Sequence, residues 1–260
     1  MPVEFIRMTR ADYLSKNYLN KFMPLEYALG SLKNNYLWLA NPTRWEDPFE
    51  KRFVTAKYID EAGKEKDFSW LGRVFCVCFT QTPRSEAYWS VYSRKEIGIQ
   101  LRINRSELLK ELDEFSKDNE NFKVYIGKVE YMKAIDIKKP LSQIPMVDKP
   151  KNMNSSDFKA RLLLLKRRDF EYENEIRIIV VKRKETQEKG IRLPIKDIYQ
   201  LINQITIDPS AGNYTTDALK YYLTGELGFT PIDRTTGQFH RVVRSNLYME
   251  NQSNVNIPLL

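Results

Sequence analysis

The chain has 260 residues, 42% of them hydrophobic, a net charge of +8 and a single histidine. That length allows one large domain or two small ones, and no Gly/Ser tract or Pro-rich linker divides it, so a single domain over 1–260 is expected. No run reaches the roughly 18 apolar residues that a bilayer span needs, and the opening MPVEFIRMTRADYL reads as neither signal nor transit peptide; the expected location is the cytoplasm.

In chain order, Val3–Met8 reads as a short strand, followed by helical segments through Asn34 that include a helix begun by Pro24. Tyr36–Ala40 is a strand closed by the turn-rich Asn41-Pro42-Thr43-Arg44-Trp45-Glu46-Asp47-Pro48. A strand over Arg73–Thr80, a helix over 85–93, a strand over Ile97–Ile103, an amphipathic helix over Ser106–Phe115 and an alternating strand over Phe122–Tyr131 come next. Residues 138–154 are proline-rich and polar and read as a loop. A helix over 156–168 leads to the strand Glu171–Lys182, then come Leu193, a strand at 204–208, a helix at 214–225 and a strand near 239–243. Several strands follow one another with no helix between them, which predicts an α+β fold with a mixed, mostly antiparallel sheet flanked by helices.

Two cysteines, Cys76 and Cys78, are expected on opposite faces of their strand, without a disulfide; with one histidine in the chain, no Cys/His metal site is expected either. The basic balance, with a pI near 9.2, favours a polyanionic partner. Lys166-Arg167-Arg168 and Lys182-Arg183-Lys184 flank one strand and mark basic patches at both of its ends.

Four constellations could carry chemistry. On a strand, Glu171, Glu173, Glu175 and Arg177 share one face. They are either a solvent-facing edge neutralised by arginine and lysine or a carboxylate set at the mouth of a cleft. Thr80-Gln81-Thr82 ends a buried strand and is followed by Tyr88, Trp89 and Tyr92, which form either an aromatic core helix or a stacking wall for a nicotinamide or adenine ring. Trp45-Glu46-Asp47-Pro48-Phe49-Glu50 reads as a turn in which Asp47 bonds its own backbone. Arg7, set among apolar residues, either reaches outward to solvent or waits for a diphosphate.

The segments WEDPFE (45–50), CFTQT (78–82), YWSVY (88–92), GIQL (98–101), VEY (129–131), YENEIRI (172–178), ITIDPSA (205–211) and RSNLY (244–248) together resemble a prokaryotic family of unknown function that carries an NDPFE-like turn. The order of an early arginine, a central strand ending in hydroxyl residues and a late Glu-x-Glu is similar to the layout of NAD-dependent ADP-ribosyltransferases. Here, however, Cys-Phe-Thr stands where that family has Ser-Thr-Ser. That resemblance implies a split-sheet transferase domain with NAD as substrate, its phosphates held by Arg7 and Thr9. It also implies Thr80 as the central hydroxyl, Trp89 or Tyr92 beside nicotinamide, Glu175 as catalytic glutamate and Glu173 assisting the acceptor. A nucleic acid, RNA or single-stranded DNA, is the implied acceptor, recruited through Lys166, Arg167 and Arg168. The implied setting is a toxin of toxin–antitoxin or anti-phage systems, with a neutralising antitoxin. Two other readings stay open: a Mg²⁺-dependent nuclease using Asp47, Glu173 and Glu175, and a non-catalytic nucleic-acid-binding module.

Overall fold

The computed structural model describes residues 2–55, 57–59, 65–67, 73–92, 96–139, 155–184, 186–230 and 241–248. Its first strand, β1 (Glu4–Ile6), is shorter than Val3–Met8 because Arg7 takes a left-handed backbone, φ 57°. Thr9 then caps α1 (Arg10–Leu14) in a capping box with Asp12. Where helical segments are expected, Tyr18–Pro24 forms β2, since it pairs along its whole length with a later strand and that pairing overrides local preference. Next come α2 (Leu25–Lys33), begun by Pro24, then β3 (Tyr36–Ala40), a 3₁₀ turn at Pro42–Arg44 and α3 (Pro48–Thr55). β4 (Lys57–Ile59) and β5 (Glu65–Asp67) pair with each other.

The middle of the chain follows its pattern closely, with β6 (Val74–Thr80), α4 (Glu86–Tyr92), β7 (Gly98–Asn104), α5 (Arg105–Asp118) and β8 (Phe122–Lys128). β9 (Glu130–Met132), α6 (Ala134–Ile137) and α7 (Ser156–Leu162) come next, and most of the expected loop over 138–154 lies outside the described residues. The helix expected over 156–168 stops at Leu162, because Leu165–Arg167 extends as β10 to pair with β9. Residues Arg168–Glu173 form a 3₁₀ turn, and only after Asn174, left-handed at φ 45°, does β11 (Glu175–Lys182) begin. The chain continues through β12 (Gly190–Pro194), α8 (Ile198–Leu201), β13 (Ile202–Ile207), α9 (Asn213–Tyr221) with a π turn to Glu226, and β14 (Arg241–Arg244).

The fold is α+β, built on one large mixed sheet ordered β1-β8-β11-β6-β2-β7-β13-β14. Only β1–β8 and β13–β14 are parallel pairs within it. β6 is where the sheet divides: Cys76 pairs with Ala40, leading to β3 and β12, whereas Thr80 pairs with Asn20, leading to β2 and beyond. One face is buried under α2, α5, α8 and α9 through Leu32, Leu112, Leu201 and Leu219. The opposite face meets α6, α7 and the β9–β10 pair through Ile137, Phe158 and Leu165. Strand β11 feeds both layers, with Ile176, Ile178 and Val180 on the first face and Ile179 and Val181 on the second.

Cys76 and Cys78 correct an expectation. They lie two positions apart on β6, so period-2 geometry puts them on the same face, opposite Ile179 and Arg177. Both are free thiols.

Candidate active site

Register carries one row of side chains across the sheet. Glu175 on β11 pairs with Thr80 on β6, Thr80 with Asn20 on β2, and Asn20 with Arg102 on β7. Directly opposed residues share a face, so these four project to one side of the sheet. Around Glu175 that side is closed by two segments remote in sequence. WEDPFE lays Trp45 over the Arg177 guanidinium at 4.6 Å and brings Glu50 Oε1 to 2.5 Å from Arg177 Nη2. The segment from β10 to the 3₁₀ turn delivers Lys166 and Glu173.

The result is a buried chain of charges, Glu50–Arg177–Glu175–Lys166–Glu173. Arg177, 1% exposed, donates from Nε to Glu175 Oε2 at 2.8 Å and from Nη1 to the Leu163 carbonyl at 2.7 Å. Lys166 Nζ lies 3.2 Å from Glu175 Oε1 and donates a short hydrogen bond to Glu173 Oε2. The Glu175 backbone is fixed as well, its N–H donating to the Tyr131 hydroxyl at 2.9 Å. The Glu173 carbonyl accepts from Thr80 Oγ1 at 2.6 Å and from the Tyr88 hydroxyl at 2.9 Å.

Charge counting explains how these acids titrate. Burial alone raises the Glu175 carboxyl, but Arg177 and Lys166 outweigh it and hold the group down at about 2. With Glu50 and Glu175 ionised, the two cations are already balanced. Burial and then the charge of Glu175 push Glu173 up to about 8. Lys166 stays protonated, raised by Glu175 against the cost of its burial. The site thus holds one permanently ionised carboxylate beside one that gains and loses a proton near neutral pH, the division of labour that acid–base chemistry uses.

Glu175, Thr80, Tyr88 and Tyr92 line a crevice of about 10 Å³, room for about one water. Asn20 belongs both to this crevice and to a cleft of about 490 Å³ that continues across β2, β7, β13 and β14.

The structure places the expected site residues unevenly. Glu173, Glu175, Thr80 and Tyr92 converge, but Glu171 and Glu173 do not share a strand face with Glu175, because the 3₁₀ turn and Asn174 precede the strand. Glu171 is exposed. Arg7 lies two strands away from Arg177 through Gly127, with Nη2 2.5 Å from Glu130 Oε2 and Nη1 3.4 Å from the Leu164 carbonyl. It is not among the residues lining the crevice. Thr9 caps α1. Trp89 packs edge-on against Phe22 and lines the larger cleft, away from Glu175. Of the basic triplet, Lys166 is buried in the charge chain and Arg167 faces Asp47 at 3.3 Å, stacked over Phe49, which leaves Arg168 exposed. A surface patch made by all three is therefore corrected. Asp47 also accepts from the Phe49 N–H at 2.9 Å, the local bond expected of it. Among the described residues no group of three His, Cys, Asp or Glu side chains is arranged to hold a metal ion, and none of the helices is long and apolar enough to cross a membrane.

Sequence reasoning missed the partners Arg177, Glu50, Trp45 and Tyr131. One signal was present: Arg177 interrupts an apolar strand, and a cation buried there needs a counter-ion.

Residues 88–178, about a third of the chain, match the model of a family described as protein of unknown function, DUF2971. No curated protein matches the chain. Among solved structures, Thermus sp. 2.9 DarT in complex with NAD+ is 12% identical, with 88% of this chain and 95% of that one covered and a TM-score of 0.34. The same enzyme in complex with ADP-ribosylated ssDNA is 11% identical, with 89% and 95% covered and a TM-score of 0.36.

Proposed function

We propose that this chain is an ADP-ribosyltransferase that uses NAD and modifies a nucleic acid, with Glu175 as its catalytic carboxylate. The observation that carries the reading is Glu175 itself, a buried anion held ionised between two cations at the base of a crevice lined by hydroxyl and aromatic groups. When the glycosidic bond between ribose C1′ and nicotinamide breaks, the bonding pair leaves with nicotinamide and positive charge develops on the ribose. A carboxylate fixed before that charge appears stabilises it without reorganising. Arg177 and Lys166 keep Glu175 ionised and immobile. Tyr92, 37% exposed, stands at the crevice, and the reacting ribose enters as that ring moves aside.

Glu173 takes the second role. The acceptor atom that attacks C1′ loses a proton, and Glu173, titrating at about 8, receives it. Glu173 in turn is placed by the Thr80 and Tyr88 hydroxyls on its carbonyl. An enzyme of this type acting on cellular nucleic acid is toxic, which fits a toxin held by an antitoxin or released against phage.

The test is nicotinamide release from NAD, with single-stranded DNA and RNA oligonucleotides as acceptors and mass spectrometry of both products. Wild type should release nicotinamide and add one ADP-ribose to an oligonucleotide; Glu175→Gln should do neither, and EDTA should leave the reaction unchanged. No nicotinamide release with any acceptor, or full turnover by Glu175→Gln, rejects the proposal. Loss of a different, phosphodiester-cleaving activity in EDTA would favour the nuclease reading instead.

A further inference from the structure

We infer that the 490 Å³ cleft beside the Glu175 crevice is the track for the phosphodiester backbone of a single-stranded nucleic acid. The row Glu175–Thr80–Asn20–Arg102 continues through Gln204 on β13 to Arg241 on β14. At about 4.8 Å per strand, the five steps span about 24 Å along the sheet. A stacked strand advances about 3.4 Å per nucleotide, so the row accommodates about seven, and fewer when the chain is stretched.

The charge on this surface selects the ligand. Arg84, Arg102, Arg241 and Arg244 line the cleft and no carboxylate does. Among the described residues none of the four makes an ion pair. Arg244 donates to the Pro209 carbonyl and to Asn213 Oδ1, and Arg102 lies 4.2 Å over the Tyr18 ring; these neutral partners orient the guanidinium groups without neutralising them. Elsewhere in the molecule buried cations are matched to acids, as Arg177 and Lys166 are. Four unmatched guanidinium groups in one concave surface exceed the two negative charges of a dinucleotide diphosphate and match three or four consecutive phosphodiesters. Asn20 and Gln100, buried and hydrogen-bonded to each other at 3.3 Å, form the floor where this cleft meets the crevice. A strand lying on the arginines therefore delivers a nucleotide next to Glu175. That delivery rests on the function proposed above; the binding of the backbone does not.

The experiment is fluorescence anisotropy of the full chain with labelled 12-nucleotide single-stranded DNA and RNA, at salt from 50 to 200 mM. Arg84→Ala/Arg241→Ala changes two exposed side chains, and thermal melting confirms its fold. Affinity should fall at least 10-fold, and the slope of log K against log salt should shrink by about two, one for each lost phosphate contact. Arg102→Ala should weaken binding similarly, whereas Glu175→Gln should bind like wild type and millimolar NAD should not displace the oligonucleotide. The inference is overturned if neither oligonucleotide binds, if the double variant binds as tightly as wild type, or if NAD competes, which would make the cleft the dinucleotide site. Arginine-dependent binding without NAD turnover would reject the transferase and leave the track standing. Turnover without arginine-dependent binding would do the reverse.

Discussion

Replacing Glu175 and Arg177 separately should distinguish a carboxylate placed for catalysis from one that only holds the fold together. Arg177→Met removes the cation shared by Glu50 and Glu175 and leaves two buried carboxylates facing each other with only Lys166 nearby. Breaking a buried pair from one side costs about 3–5 kcal/mol. At about 2–4 °C per kcal/mol for a chain of this size, the melting midpoint should drop by about 10 °C. In Glu175→Gln the cations keep partners: Arg177 still pairs with Glu50 and donates to the amide oxygen. Glu173, relieved of the Glu175 charge, ionises against Lys166. That rebalancing should hold the loss to about 1–2 kcal/mol, a few degrees, while nicotinamide release disappears. Thermal melting at pH 7 with NAD turnover on the same samples measures both. If Glu175→Gln melts as early as Arg177→Met, or melts normally and still turns NAD over, the reasoning about a charge-balanced catalytic anion is wrong.

Three further outcomes follow from the same geometry. Glu173 titrates at about 8 in the folded chain, above an ordinary carboxyl, so the stability it contributes is complete below about pH 4 and is lost as pH rises through 8. Wild type should therefore melt earlier at pH 9 than at pH 6, and Glu173→Gln, neutral throughout, should flatten that trend in a melting series. Thr80→Val removes the hydroxyl bonded to the Glu173 carbonyl at 2.6 Å and should cost about 1–3 kcal/mol by denaturant titration, with acceptor modification falling more than nicotinamide release. Gly127→Ala would drive its Cβ to 2.2 Å from Leu164 Cδ1, beside the Leu163 carbonyl that anchors Arg177. That overpacking should cost about 1–3 kcal/mol and lower NAD turnover, as paired melting and activity measurements would show.

Much of the fold was legible from periodicity alone. Strands such as Tyr36–Ala40, Val74–Thr80 and Gly98–Asn104 sit where alternation and flanking turn residues put them, because a half-buried strand needs period-2 apolarity however the sheet is assembled. Tyr18–Pro24 was misread because its strand character comes from pairing with β7, some 80 residues later, and no local signal reports such a partner. The same holds for the helix that stops at Leu162, since Leu165–Arg167 extends only to meet β9. At the site, the late glutamates, Thr80 and Tyr92 were visible as residue types, because acids and hydroxyls at the end of an apolar strand stand out in any window.

Which of those residues meet was decided by tertiary structure. Register across β11, β6, β2 and β7 joins Glu175, Thr80, Asn20 and Arg102 in one row, while Asn174 turns Glu171 away and Glu130 engages Arg7. Sequence alone determined the layers, the apolar strands and the excess of positive charge, all of which depend on short-range pattern and composition. The pairing of Arg177 with Glu50, the burial of Lys166 and the gathering of four arginines over one sheet face depend on segments separated by tens to more than a hundred residues. Electrostatic energy depends on separation in space and on burial, and neither exists until the sheet has closed around them.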